Sequence, residues 1–377
     1  MPDPVVLAFE DRRYRRSELD AAVNGFSAVL GRAGVRPGDR VALMSSNRPE
    51  FVIALYGIWR AGAAVVLLSP AWKHQEVAHA LALTEPAAAV GDHPVLAGLM
   101  PMRHLDAPIV AATVATPTDL DPDADAVLAF SSGTTGTPKA VRHTHRSFSA
   151  AVQHWRTVLG LTDTDRMQVV TPPSHILGLL NIAAILDAGG WVRLRRRFDV
   201  DELLAGIAAD RITVEMAVAP IALAIAAHPD LECYDLSSLR YIMWCATPIT
   251  PAVAEVVTRR TGVTWMTGYG ATELPVLACN EVGSGLLDTV GRAAPGRVEV
   301  RDLYALYPDY LIDVGAEQAQ LAAARLDSNI DLDERAETWR RIESGELQLL
   351  YVSPEGLALH VTFYKGGSEK HQIKLEN

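Results

Sequence analysis

The sequence is short of the features that mark several classes of protein. It has only three cysteines, Cys233, Cys245 and Cys279, in 377 residues. The odd count argues against a disulfide framework, and the spacings fit neither a zinc pattern nor a CxxC pair. A reducing, cytoplasmic setting is expected. There is no excess of positive charge: 34 Lys and Arg stand against 45 Asp and Glu, a formal net charge of −11. That balance argues against a polyanion binder, so no nucleic-acid partner is expected. A nucleotide can still bind, because its phosphates answer to local donors and a metal ion. Residues 1–10 lack a basic segment and do not read as a signal peptide. The longest apolar stretch, 51–72, is broken by Arg60, Gly62 and Pro70. It reads as a buried helix and then a buried strand, so no transmembrane segment is expected, and peripheral membrane contact stays open. Repeats and low-complexity segments are missing too.

What is present is an ordinary globular composition, 49% apolar and 21% charged. The length allows two to three domains, or one large domain with an appendage. Short apolar runs alternate with helical patterns. A hairpin is expected at 7–13, then a helix over 17–32, a strand at 40–44, a helix over 49–62 and a strand at 64–68. Strands at 126–130 and 140–144 follow, then a helix from Ser147. Further on come helices over 201–209, 220–227 and 251–261, with strands at 214–218, 239–244 and 263–268. This rhythm predicts an α/β fold with parallel sheets covered by helices. After about Asp302 the character changes. Helices are expected over 316–325 and 331–344, a strand over 346–352, and a frayed polar tail from Tyr364.

Three segments carry chemistry. The first is Ser131-Ser132-Gly133-Thr134-Thr135-Gly136-Thr137-Pro138-Lys139, directly after an apolar strand. Glycines let backbone approach a phosphate, hydroxyls donate to it, and lysine adds mobile positive charge. It is not a Walker loop, because the spacing fails. Composition alone is met equally by a flexible surface loop. The second is Gly268-Tyr269-Gly270-Ala271-Thr272-Glu273. An aromatic between glycines can stack on a base, and the hydroxyl and carboxylate can reach a phosphate and its Mg²⁺. A tight turn with a core tyrosine accounts for it as well. The third is Pro172-Pro173-Ser174-His175-Ile176-Leu177-Gly178, where a structural histidine before an apolar helix is the simpler reading. A basic knot, Arg193, Arg195, Arg196 and Arg197, reads on pattern as a solvated strand end.

Together these segments resemble the adenylate-forming superfamily, which includes acyl-CoA synthetases, coumarate-CoA-type ligases and adenylation domains. Residues 13–20, 38–41, 234–240 and 290–292 resemble it too, so the likeness covers about residues 5–302. It implies two helix-covered sheets with the nucleotide motifs on loops at their shared cleft. It also implies AMP-forming activation of a carboxylic acid with ATP and Mg²⁺, followed by transfer to CoA. By the same resemblance Ser131, Ser132, Gly133, Thr134, Thr135 and Lys139 hold the β- and γ-phosphates. Tyr269, after Gly268, stacks on adenine, with the backbone of 245–248, Ala246 included, on the other face. Thr272 meets the α-phosphate, Glu273 holds Mg²⁺, and His175 lies by the acyl carboxylate. Arg197 lies near the CoA phosphates. Cys245 departs from a glycine usual in the family and would narrow the adenine or acyl pocket. Apolar walls at 176–180 and 218–225 point to a fatty or aryl acid, with Asp187 left open as an ammonium partner.

The resemblance implies more than the sequence contains. No Thr-Gly-Asp follows residue 302, and Lys365, Lys370 and Lys374 lack the context of the family's adenylating lysine. Two domains are expected: 1–302, adenylate-forming and incomplete at its end, and 303–377, a small unrelated α/β appendage. Residues 315–356 resemble a stretch between motor motifs of RecQ-type helicases, without a Walker loop or a DExH box. Three readings stay open: an acid-activating ligase, a binding-only remnant, and a nucleic-acid enzyme fragment, which the acidic charge disfavours.

Overall fold

In the computed structural model the described residues are 3–110, 120–131, 138–248, 250–287 and 289–293, plus four short strands farther on. The chain opens on the hairpin β1 (Val5–Phe9) and β2 (Arg12–Arg15) and continues into α1 (Arg16–Arg32). Then come β3 (Arg40–Met44), α2 (Pro49–Arg60), β4 (Ala64–Leu68), α3 (His74–Thr84), β5 (Ala88–Gly91), α4 (Pro94–Leu99) and β6 (Met102–His104). The middle of the chain gives β7 (Asp125–Ser131), β8 (Lys139–Thr144), α5 (His145–Val158), β9 (Arg166–Val169), α6 (Ile176–Asp187) and β10 (Trp191–Leu194). It closes with α7 (Val200–Asp210), β11 (Val214–Ala217), α8 (Ala219–Ala227), β12 (Tyr241–Trp244), α9 (Pro251–Thr261), β13 (Trp265–Tyr269), β14 (Ala278–Cys279) and β15 (Thr289–Ala293).

Local chemistry sets many of these boundaries. The Glu18 carboxylate accepts from Arg15 N–H at 2.7 Å, and Asp3 accepts from Ser17 N–H at 3.0 Å, so the first turn of α1 is tied down twice. Pro49 and Pro251 open α2 and α9, where a missing N–H costs nothing. The Thr144 hydroxyl accepts from Ser147 N–H at 3.1 Å and starts α5.

Among the described residues the strands form two large sheets. One has the order β8-β7-β4-β3-β5-β6, and the other β15-β14-β13-β12-β11-β9-β10-β1-β2. Side chains alternate across each strand, and the alternation divides the core. Val41, Leu43, Val65, Leu67, Val127 and Ala129 face a central layer that also holds Met216, Met243 and Met266 of the second sheet. Their neighbours Ala42, Met44, Val66 and Leu68 turn outward toward α3 and α4. On the second sheet Ala217, Ile242, Trp244 and Trp265 turn outward toward α7, α8 and α9. The helices α1, α2, α5 and α6 fill the space between the sheets. This α/β architecture, two sheets each covered on both faces, is the one the sequence leads one to expect.

Several pairings depart from the parallel expectation. β13 with β14 and β14 with β15 are antiparallel. β7 and β8 run antiparallel too, with Ser131 opposite Lys139. Only residues 132–138 join them, and a parallel crossover needs about a dozen or more. Beyond residue 293 four short strands are described. β16 (Leu311–Asp313) pairs with β8, β17 (Leu347–Leu350) pairs with β18 (Val361–Tyr364), and β19 (Ile373–Lys374) pairs with β15. β17 lies within the strand expected at 346–352, and β19 lies in the tail expected to be frayed. The helices expected at 316–325 and 331–344 lie outside the described residues.

Candidate active site

Parallel strands deliver their following loops to one edge of a sheet. In the larger sheet β11, β12 and β13 are in parallel register, with Ala217 beside Trp244 and Trp244 beside Thr267. β9 is parallel to β11. The segments 170–175, 245–248 and 270–273 therefore leave the sheet at the same edge, next to the start of α8. Asn47, in the loop after β3, reaches this edge from the other sheet. Its amide donates to the carbonyls of Val170 at 3.1 Å and Thr171 at 3.3 Å.

The β7–β8 hairpin carries the two ends of the first motif. Lys139 is 3% exposed. Across from it the Ser131 hydroxyl is buried with no hydrogen-bond partner among the described residues. The His79 ring is 3.1 Å from the Pro138 carbonyl, and Trp72 stands edge-on to Phe130 with ring centroids 5.0 Å apart. Both contacts hold the hairpin against α3 and the loop before it. Ser132, Gly133, Thr134 and Thr135 lie outside the described residues.

The second motif begins in β13. Gly268 is inside the strand and Tyr269 ends it. The Tyr269 ring is half-buried, and burial together with the Glu273 carboxylate pushes its phenol pKa up. The chain then closes a turn in which Ala271 N–H donates to Leu274 O at 3.0 Å. A side chain at Gly270 would collide with this turn, since its Cβ would lie 2.8 Å from the Pro275 carbonyl carbon. Thr272 and Glu273 are half-buried on the same turn. The Thr272 carbonyl lies 2.7 Å from Nε2 of His143, on the strand that begins with Lys139. This bond links the two motifs across the two sheets.

The loop after β12 is strained. Ala246 takes φ 62, in the left-handed region that non-glycine residues seldom adopt. The Thr247 hydroxyl steadies the loop by accepting from Ala219 N–H at 2.8 Å and Trp244 Nε1 at 3.1 Å. Cys245 points into the core, 5% exposed, with Sγ 3.5 Å from the Met216 sulfur, and burial pushes its thiol pKa up.

His175 precedes α6, and Gly178 one turn on lets the helix press against the 171–172 backbone. The ring is exposed at the rim, yet its surroundings lower the pKa by desolvation. Beside it the hydroxyls of Thr171 and Ser174 are buried with no partner among the described residues. The apolar walls expected at 176–180 and 218–225 are only partly available. Leu179, Leu180, Ile221, Ala222 and Ile225 are all core residues. Ile176, Leu177, Val218 and Ala219 are half-buried. Asp187 lies at the far end of the 12-residue helix α6, about 18 Å from His175 at 1.5 Å per residue, in an exposed pair with Arg156.

The basic knot is largely paired, Arg193 and Arg195 with buried partners and Arg196 at the surface. Arg193 binds Asp210, with Nη2 to Oδ1 at 2.9 Å, Arg196 binds Glu10, and Arg195 donates to Gln168. Arg197 is exposed. Among the described residues no cluster of three or more metal-ligating side chains is present, and no helix is long and apolar enough to cross a membrane. Sequence reasoning missed His143 and Asn47. For His143 the available signal was its two-residue periodicity with Lys139 on one strand face; for Asn47 there was none.

The profile of the AMP-binding enzyme family matches residues 1–306. The chain is 34% identical over 273 residues to a feruloyl-CoA synthase of an Amycolatopsis species, covering 68% of this chain and 54% of that protein. It is similar in fold to the N-terminal domain of FACL13 from Mycobacterium tuberculosis, at TM-score 0.72 and 22% identity, covering 77% of this chain and 78% of that one. The ATP-bound structure of MatB from Rhodopseudomonas palustris aligns at TM-score 0.73 and 22% identity, covering 80% of this chain and 64% of the other. The chain belongs to the AMP-binding enzyme family. It spans about half the length of the curated relatives it matches, 54% of that feruloyl-CoA synthase and 54% of a 4-coumarate–CoA ligase of Arabidopsis thaliana.

Proposed function

We propose that this chain carries the ATP- and acid-binding part of an AMP-forming acid–thiol ligase acting on a fatty or aryl acid. The observation that supports it most is the common edge from which 170–175, 245–248 and 270–273 emerge, tied to the Lys139 strand by the His143–Thr272 bond. In this reading Tyr269 and the left-handed turn at Ala246 face the two sides of adenine, and Gly268 gives the ring room. Ser131, Ser132, Gly133, Thr134, Thr135 and Lys139 hold the β- and γ-phosphates. The Ser131 hydroxyl, buried with no partner among the described residues, suits a donor to an oxyanion. Thr272 meets the α-phosphate. Glu273 takes Mg²⁺ arriving with ATP, an ion that binds through one or two carboxylates plus substrate phosphates rather than an all-protein cage.

A carboxylate oxygen then attacks the α-phosphorus, the bond to the bridging oxygen breaks, and pyrophosphate leaves. Charge builds on the phosphoryl oxygens, so Lys139 and Thr272 act as electrostatic stabilisers. A histidine with a lowered pKa, His175, stays neutral at the acid's end and can donate without adding a charge. A thiol, that of CoA in the ligases, displaces AMP in the second step, with Arg197 toward its phosphates. The apolar character of the acid rests on Ile176, Leu177, Val218 and Ala219, and on the distance of Asp187 from the site. Pyrophosphate release, measured with ATP, Mg²⁺ and a panel of fatty, aryl and amino acids, tests this reading. An amino acid as the best substrate, or no nucleotide binding at all, would overturn it.

A further inference from the structure

We propose that His143 is a positioning residue: its Nε2–H holds the Thr272 main chain in register with the strand that starts at Lys139. The proposal rests on the roles given above to Lys139 and Thr272.

On β8 the residues Lys139, Val141 and His143 share one face, opposite Ser131, Ala129 and Val127 of β7. Val127 and Ala129 belong to the central core, so that face looks toward the second sheet. His143 is 1% exposed, and its Nε2 meets the carbonyl of a residue 129 positions away. Burial lowers the ring's pKa to about 4, so at neutral pH it carries one proton. A carbonyl oxygen only accepts, so that proton sits on Nε2 and the donor is His143. Nδ1 is left as a buried lone pair with no partner among the described residues. The ring is packed edge-on to Phe148 of α5, with centroids 6.5 Å apart.

The 270–275 turn does not close on the Thr272 carbonyl, since its internal bond runs from Ala271 N–H to Leu274 O. Lateral placement of Thr272 therefore depends on the bond from the other sheet. One rigid strand fixes Lys139 at its start and Thr272 near its end. The spacing between the phosphate hairpin and the second motif is then set by a strand rather than by a loop. A histidine that merely filled the core could be replaced by an apolar residue of similar size with no effect on the turn.

The test compares the chain with His143→Leu and His143→Gln, where glutamine can present an N–H at similar reach. Amide hydrogen exchange is followed for 271–275, with α9 as an internal control, and ATP-Mg²⁺ affinity is measured by calorimetry well below the melting temperature. Leucine is expected to speed exchange in 271–275 about tenfold and to weaken ATP-Mg²⁺ by about three- to tenfold, the range of one net hydrogen bond. Glutamine is expected to restore both. If leucine does not yield a folded protein, His143→Met serves as the apolar variant. Unchanged exchange in the apolar variant, or equal loss with glutamine, would refute the positioning role. Failure of the unmodified chain to bind ATP-Mg²⁺ would instead refute the proposed function, and the exchange data would still decide whether His143 holds Thr272.

Discussion

Gly270 offers a sharp test of the second motif. Its missing side chain leaves room for the carbonyl of Pro275, and a Cβ there would lie 2.8 Å from the Pro275 carbonyl carbon. Carbon atoms in contact prefer about 3.5–4.0 Å. The obstacle is backbone, so it cannot rotate away as a side chain end can. Gly270→Ala must open the turn that Ala271 N–H and Leu274 O close at 3.0 Å. Overpacking of this kind costs about 1–3 kcal/mol, and the strained turn bond adds about 1 kcal/mol. The larger consequence is functional. Tyr269 and Thr272 flank the turn, and a misplacement of about 1 Å in a reacting geometry can cost about 10²-fold. The expected result is a folded variant with ATP-Mg²⁺ affinity and pyrophosphate exchange both reduced, the exchange by about 10² or more. Gly31→Ala, in α1, is the control, because a Cβ there would meet no atom within 4 Å. A Gly270→Ala protein within twofold of the unmodified chain in both assays would refute the reading of 268–273 as a nucleotide-binding turn.

Lys139→Met should lower pyrophosphate exchange by about 10² or more, by analogy with the loss of one oxyanion donor. A Lys139→Met variant that folds and retains full exchange would remove Lys139 from the mechanism. Glu215 is fully buried, and desolvation raises its pKa to about 8 against the hydrogen bonds from Gln168 and Met216 N–H. The folded state thus keeps a proton that the unfolded chain releases near its ordinary value. The contribution of Glu215 to stability is expected to be full below about 4.5 and to be lost as pH rises from there through about 8. Glu215→Gln should flatten that slope in denaturant midpoints measured across the window, and an unchanged slope would show that another group is responsible.

The parts of the fold legible in the sequence are those where one local rule decides. Pro49, the apolar run after it and Gly62 fix α2, and Val41, Leu43 and their neighbours fix a strand buried on both faces. β5, with the sequence AAVG, gave no signal because alanine and glycine are weak strand formers, and its place comes from pairing with Val41 to Met44. The walls expected on the acyl side are only partly legible for a related reason. α6 is apolar all round, so periodicity cannot tell the side that meets the core from the side that meets a substrate. Leu179 and Leu180, expected among the pocket walls, are core residues.

The site itself divides along the same line. Residues 131–139 and 268–273 were legible because glycine, hydroxyl and lysine types cluster there over a few positions. How the two clusters come to one place was not legible. It depends on the parallel register of β12 with β13, the antiparallel closure of β7 on β8, and a histidine bond between residues 129 apart. No local pattern encodes a contact at that separation. Each strand states only which of its faces is buried. His143 sits on a buried face, where a strand rule expects a residue such as the valine at 141, and that local violation is the one trace the contact leaves in the sequence. A polar residue on an otherwise apolar strand face is costly unless it has a partner. The nature of the partner follows only from the fold, which supplies the Thr272 carbonyl.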